Sequence, residues 1–202
     1  MATVSRINGF RPVKSIAGGG FSGQVNTYFV PASDATPLFV GDLVTMAGDA
    51  RSATGLPTVT RAGATSAVVG VVVGISFEGQ GDVGNMPQVA NLNTPTFRAA
   101  STDAYIMVAD DPSLVLEAQA TGTVLAADIG LNASPVVASG STSTGNSAFA
   151  VDMATKAVTA TLPLKLIGVK NSPDNAIGDA FVRVYVTINN HQHKGGTGTT
   201  GV

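Results

Sequence analysis

Arg98-Ala-Ala-Ser-Thr-Asp-Ala-Tyr-Ile-Met-Val-Ala-Asp-Asp-Pro-Ser-Leu-Val-Leu-Glu-Ala-Gln119 holds two apolar runs separated by an acidic corner. Tyr105, Ile106, Met107 and Val108 are apolar on both parities, as a strand covered on both faces would be. Asp110-Asp111-Pro112-Ser113 then interrupts the run. Proline presets φ for the second position of a turn, and an Asp before it bonds its own backbone. Beyond the corner Leu114, Leu116 and Ala118 alternate with Val115, Glu117 and Gln119, the pattern of a half-buried strand. The stretch reads as a central hairpin, two strands pivoting on an acidic turn. A helix starting at Pro112 with Asp111 as N-cap is the alternative.

Upstream and downstream the same grammar repeats. Val25–Val30 ends at Pro31, Leu38-Phe39-Val40 and Leu43–Met46 flank a Gly41-Asp42 turn, and Leu56–Thr60 is a short strand. Val68-Val69-Gly70-Val71-Val72-Val73-Gly74-Ile75 is the most β-branched run, apolar on both faces, and implies a central strand. Gly70 and Gly74 in it mark bulges or a close backbone approach. Further strands are expected at Phe149–Met153, within Thr161–Val169 and at Phe181–Ile188. In the last, Val182, Val184, Val186 and Ile188 share one face, and Phe181, Arg183, Tyr185 and Thr187 the other. Turns fall at Asp128–Gly130 and Ser172-Pro173-Asp174-Asn175. Apolar runs are short and separated by Gly, Pro, Asn and Ser, and none is convincingly helical. The predicted fold is all-β, an antiparallel β-sandwich or jelly-roll-like barrel.

The expected organisation is an extended N-terminal arm over 1–24, a β domain over 25–189 that could divide into two small subdomains, and a flexible tail over 190–202. Residues 193–202 offer almost no apolar side chain to offset the entropy of ordering glycine-rich backbone. Their own domain is therefore not expected to hold them. A neighbouring subunit could, by taking the tail as an added strand.

Charged residues make up only 12% of the 202 residues, against about 25% in ordinary soluble domains, while 44% are apolar. Uncharged Thr, Ser and Asn must carry solubility, or partners must cover part of the surface. Net charge is -2, and Lys and Arg are scattered along the chain, so no basic stripe argues for nucleic acid. With no Cys there is no disulfide scaffold and no thiolate site. No stretch approaches the roughly twenty apolar residues of a membrane span, and a soluble protein made in a cytoplasm is expected.

Chemistry is harder to find. Asp110, Asp111 and Glu117 form the one acidic cluster, and paired carboxylates can hydrolyse glycosides. The preferred reading is structural, because a glycosidase cleft normally carries aromatic platforms and the chain has no Trp and three Tyr. His191 and His193, as His-x-His on a strand, would point the same way and could bind a metal across a symmetry axis, but no acidic residue adjoins them in sequence. A polar strand end is preferred. Gly18-Gly19-Gly20-Phe21-Ser22-Gly23 matches the dinucleotide fingerprint G-x-G-x-x-G, yet the strand-like Val25–Val30 follows where a helix is required, so it is read as a loop. No catalytic, cofactor or metal residue is assigned, and an enzyme is not expected.

Four segments together resemble the head decoration (cement) proteins of tailed bacteriophages. They are Asn8–Val13, Tyr28–Asp34 running into Phe39–Val44, the Val108-Ala-Asp-Asp-Pro112 turn with its following strand, and Val182–Gln192. The resemblance implies a virion structural protein cementing the outer surface of an icosahedral capsid. Its partners would be the major capsid protein and further copies of itself, as dimers or trimers at local symmetry axes, with no direct nucleic-acid or membrane contact. A carbohydrate-binding or tail-associated β module of a phage is the alternative. Low charge density leads to the expectation of uncharged contacts, with the 78–96 and 139–147 loops as contact elements.

Overall fold

Alternating apolar residues build two β layers here, and the key stretch contributes one strand to each. A computed structural model describes residues 4–77, 96–194 and 198–201. The strands in chain order are β1 (Arg11–Ser15), β2 (Asn26–Val30), β3 (Leu38–Phe39), β4 (Leu43–Ala50), β5 (Pro57–Arg61), β6 (Gly70–Phe77) and β7 (Phe97–Arg98). After them come β8 (Ala104–Ala109), β9 (Leu114–Gln119), β10 (Asn132–Val136), β11 (Ala150–Ala157), β12 (Leu164–Val169) and β13 (Arg183–Ile188). Among the described residues there is no α-helix, only a 3-10 turn at Ala126–Asp128. The all-β expectation holds.

Strands β2, β5, β4, β6 and β8 close into a barrel, in which only the β2–β5 contact is parallel. Strands β1, β9, β13, β12, β10 and β11 form a six-stranded antiparallel sheet, and β3 pairs with β7 in a small ribbon. The predicted central hairpin therefore does not exist. Strand β8 pairs with β2 and β6, whereas β9 pairs with β1 and β13. The acidic corner is the crossing from barrel to sheet, because pairing partners far away in sequence bury more than a local hairpin would. Asp111 shapes that corner, accepting the Ser113 N–H at 2.8 Å and its hydroxyl at 2.6 Å. This Asx turn takes the place of the helix start considered at Pro112.

The barrel interior is filled by residues including Tyr28, Val30, Val44, Val59, Val72, Ile106 and Val108. A second core lies between barrel and sheet. There Leu114, Leu116, Val184, Val186, Leu164 and Leu166 from the sheet meet Leu43, Val68, Val71 and Ala109 from the barrel. The two-faced apolar run at 68–75 has this cause: Val69 and Val72 fill the barrel while Val68 and Val71 face the sheet. Gly70 is required by contact, since a Cβ there would lie 2.4 Å from the Ala109 carbonyl oxygen. At Gly74 the register slips, as a bulge should.

Residues 8–15 are integral to this body. Phe10 is buried in the shared core and its N–H donates to the Gly41 carbonyl at 2.9 Å, while β1 completes one edge of the sheet. The glycine-rich loop then folds back onto that edge, with the Phe21 N–H donating to Val13 and the Ser15 N–H to Gly19. It thus blunts an otherwise open strand edge. Gly9 sits at φ +73°, and a Cβ there would lie 2.5 Å from Ser147 Cβ and 2.7 Å from the Gly41 oxygen. Gly9→Ala is accordingly expected to lower stability by about 2 kcal/mol. A urea midpoint within error of the parent protein would contradict this packing.

The tail departs from expectation. His191 lies in a parallel bridge to Val68, and the Gln192 N–H donates to the Val68 carbonyl at 3.0 Å. The Gln192 side-chain oxygen accepts the Met46 N–H at 2.8 Å. Farther on, Thr199 N–H donates to Asn189 Oδ1, Asn132 Nδ2 to the Thr199 carbonyl, and Gly201 N–H to the Val158 carbonyl. The described tail residues are held by their own domain. The reasoning from apolar content missed this because buried asparagine side chains, not hydrophobic contacts, supply the partners.

Candidate functional site

The scattered cations of the sequence are gathered by the fold. On the sheet face away from the core, Arg11 of β1 stands opposite Glu117 of β9, which stands opposite Tyr185 of β13. Lys165 of β12 stands opposite Thr187. Strict alternation would send Lys14 and Lys170 to the inner face. Register shifts between Pro12 and Lys14 and between Leu166 and Gly168 return both to the outer one, Lys14 opposite Val115 and Lys170 beside Arg183. The expectation of no basic grouping is thereby corrected. Arg6, Arg11, Lys14, Lys165, Lys170 and Arg183 share a region in which the strands β1, β9, β13 and β12 contribute one carboxylate, Glu117.

Glu117 is already neutralised. Lys170 Nζ lies 3.0 Å from both its oxygens and Arg183 Nη1 3.3 Å from one. Lys14 Nζ sits 5.8 Å from the centre of the Tyr185 ring. A concavity of about 90 Å³ opens at the Glu117–Arg183 ion pair, lined by these two with Arg6, Asn8, Gly9, Arg11, Ala118 and Gln119. It adjoins a second of about 270 Å³, which also borders Asn8 and Arg11 and reaches Gly41 and Val72 of the barrel. The Gln119 side chain fixes the N-terminal segment there, accepting the Arg6 N–H at 2.7 Å and donating to the Val4 carbonyl at 3.0 Å. Gln119, read as an outward polar residue, is buried for this reason.

The three carboxylates of the sequence cluster go to different partners. Asp111 builds its turn and Glu117 its ion pairs. Asp110 instead accepts the Tyr28 hydroxyl at 2.6 Å and both Asn26 Nδ2 contacts at 2.9 and 3.0 Å. The two histidines join it. His193 Nε2 is 3.1 Å from the Tyr28 hydroxyl and 3.8 Å from Asp110 Oδ2, and the two imidazole rings are 5.7 Å apart. Sequence order hid this neighbour, since the acid closest to the histidines in space precedes them by more than eighty residues. Burial and the Asp110 carboxylate push the Tyr28 phenol above its usual range. Burial, with His193 beside it, pulls His191 down to about 4, against the opposing pull of Asp110 and Asp111. The cluster pins the 190–193 segment to β2 and to the barrel–sheet crossing. Among the described residues no three His, Asp or Glu side chains are placed to hold a metal ion.

Of the two loops expected as contact elements, residues 78–95 lie outside the described residues. The other is docked over its second half: the Val40 N–H donates to the Gly145 carbonyl, the Ser147 N–H donates to Val40, and Ser147 is buried. Only its tip, 141–144, is exposed throughout. Gly145 and Ser147 are small enough to pack beside Thr96 and Gly9. No protein-family model, curated protein or solved structure matches this chain.

Proposed function

We propose that this chain is a structural protein of a bacteriophage virion that decorates and cements the outer surface of the capsid. The observation that carries the reading is where the four resembling segments lie. Asn8–Val13 meets Phe39–Val44 through the Phe10–Gly41 hydrogen bond, Tyr28 donates to Asp110 at the barrel–sheet crossing, and the Val182–Gln192 segment pairs with the strand that follows the acidic turn. The resemblance thus falls on contacts within and between the two layers, not on interchangeable surface loops. We read the barrel and the sheet packed upon it as this chain's form of the expected β-sandwich.

Cementing asks for extended surface contact repeated many times. Each copy that bridges neighbouring capsomers makes its later contacts intramolecular, so modest individual contacts add up. A six-stranded sheet face, with Val4 and Arg6 held by Gln119 and Thr200 held by Lys165, suits that task. The test is electron microscopy of purified virions carrying a labelled copy, together with quantitation of the chain per particle. Many copies spread over the head are expected. Absence from virions, or a few copies at the tail, would overturn the reading, and the latter would favour the tail-associated module.

A further inference from the structure

We propose that the groove lined by Arg6, Arg11 and Arg183 receives a carboxylate-bearing loop of a partner protein. Two of its three guanidinium groups are uncommitted. Among the described residues the side chains of Arg6 and Arg11 make no hydrogen bond or ion pair, and both residues are exposed. Arg183 spends one hydrogen bond on Glu117, which Lys170 also serves, and Asp174 lies near enough to feel both cations, yet donors remain on the Arg183 fork. The groove is built, not incidental. Gln119 fixes the Arg6 backbone from inside the sheet, and the pairing of β1 with β9 sets Arg11 opposite Glu117.

Guanidinium groups converging on a small concavity match a carboxylate, which accepts two parallel N–H donors from one of them and has acceptor sites left for a second. The same groups could bind phosphate or a nucleic-acid backbone, but charge elsewhere decides against a polyanion. The chain is net negative at -2, although six of its eleven Lys and Arg lie on this one region. The remaining surface is thus acidic on balance. An extended polyanion would run onto that surface, whereas one acidic loop feels only the groove within about 10 Å. The wider concavity toward Val40, Val72 and Val73 gives room for the uncharged flank of such a loop.

The experiment is an NMR titration of the full chain with an acetylated, amidated tetraglutamate peptide, and with tetraglutamine, inorganic phosphate and oligothymidylate in parallel. Tetraglutamate is expected to shift the amide signals of Asn8, Arg11, Gln119 and Arg183. Arg6→Glu with Arg11→Glu should weaken it by about tenfold or more. Lys165→Glu, on the same sheet face but beyond the groove, should weaken it far less than either change within the groove. Arg6→Gln with Arg11→Gln gives the same direction without charge reversal, should the double glutamate variant unfold. The proposal is overturned by three results: no shift at these amides, shifts that survive both double variants, or the same shifts induced at lower concentration by phosphate or oligothymidylate. No virion enters this test, so its failure and the failure of the decoration reading are separate events.

Discussion

Arg98→Met should lower the unfolding free energy by about 3–5 kcal/mol, the largest effect expected of any single substitution here. Arg98 is 0% exposed, yet every part of its fork is used. Nε donates to the Thr102 carbonyl at 2.8 Å and Nη1 to Thr36 at 2.6 Å. Nη2 donates to Pro31 at 2.8 Å and to Asp34 at 2.7 Å. One side chain therefore satisfies four backbone carbonyls from two loops, those following β2 and β7. Methionine fills similar space but removes all four donors, leaving the Thr36 and Thr102 carbonyls without one, while Pro31 and Asp34 keep the N–H groups of Asp34 and Ser101. Arg98→Lys should recover little, because an ammonium has three donors and cannot reach acceptors spread around a planar fork. Urea unfolding measures this directly. A loss under about 1 kcal/mol for Met, or a Lys variant equal to the parent, would show that water replaces the fork.

Acidification should act through His191, with a maximum effect of about 3 kcal/mol. The residue is 2% exposed, its Nδ1 accepts the His193 N–H at 3.1 Å, and its Nε2 is buried without a hydrogen-bond partner. Folding holds its pKa at about 4, below the unfolded value of 6.5. Between these values the unfolded chain binds a proton that the folded chain refuses. Stability from this group is full above pH 6.5 and is lost as pH falls toward 4. Asp42 works in the opposite direction. Burial raises it to about 6 from 3.8, partly offset by hydrogen bonding from Ser147 and the Phe39 N–H and by the charge of Arg61. The folded chain thus keeps a proton there that the unfolded chain releases, and acid favours folding between pH 6 and 3.8. The whole protein's pH profile mixes both groups, so the informative quantity is a difference. His191→Asn keeps an acceptor for the His193 N–H but does not titrate. The stability advantage of the parent over this variant should shrink between pH 7 and pH 4.5. Parallel profiles would rule His191 out as the acid-sensitive group.

Local chemistry alone placed most strands. Alternation at Leu114, Leu116 and Ala118 and at Val182, Val184, Val186 and Ile188 requires a strand with one face buried, and those residues are the inner face of the sheet. Likewise the valine run at 68–75 could only be a strand covered on both sides, and turns at Gly41-Asp42 and Ser172–Asn175 follow from residues suited to them. These features depend on each residue's own geometry and its neighbours one or two positions away. Pairing does not. Whether Ala104–Ala109 joins Leu114–Gln119 or two distant strands is decided by which arrangement closes a barrel and buries a second core. The candidate groove has the same origin. Arg6, Arg11 and Arg183 are isolated in sequence and adjacent only because β1, β9 and β13 are neighbours in one sheet. Lys14 and Lys170 join them through bulges, which reverse the face of every later residue and leave no mark in the alternation of charge. The Asp110–Tyr28–His193 contact and the four carbonyls around Arg98 likewise link segments remote in sequence. Composition records how many charges and polar groups a chain holds, but only long-range strand pairing decides which of them share a surface and which are buried with partners.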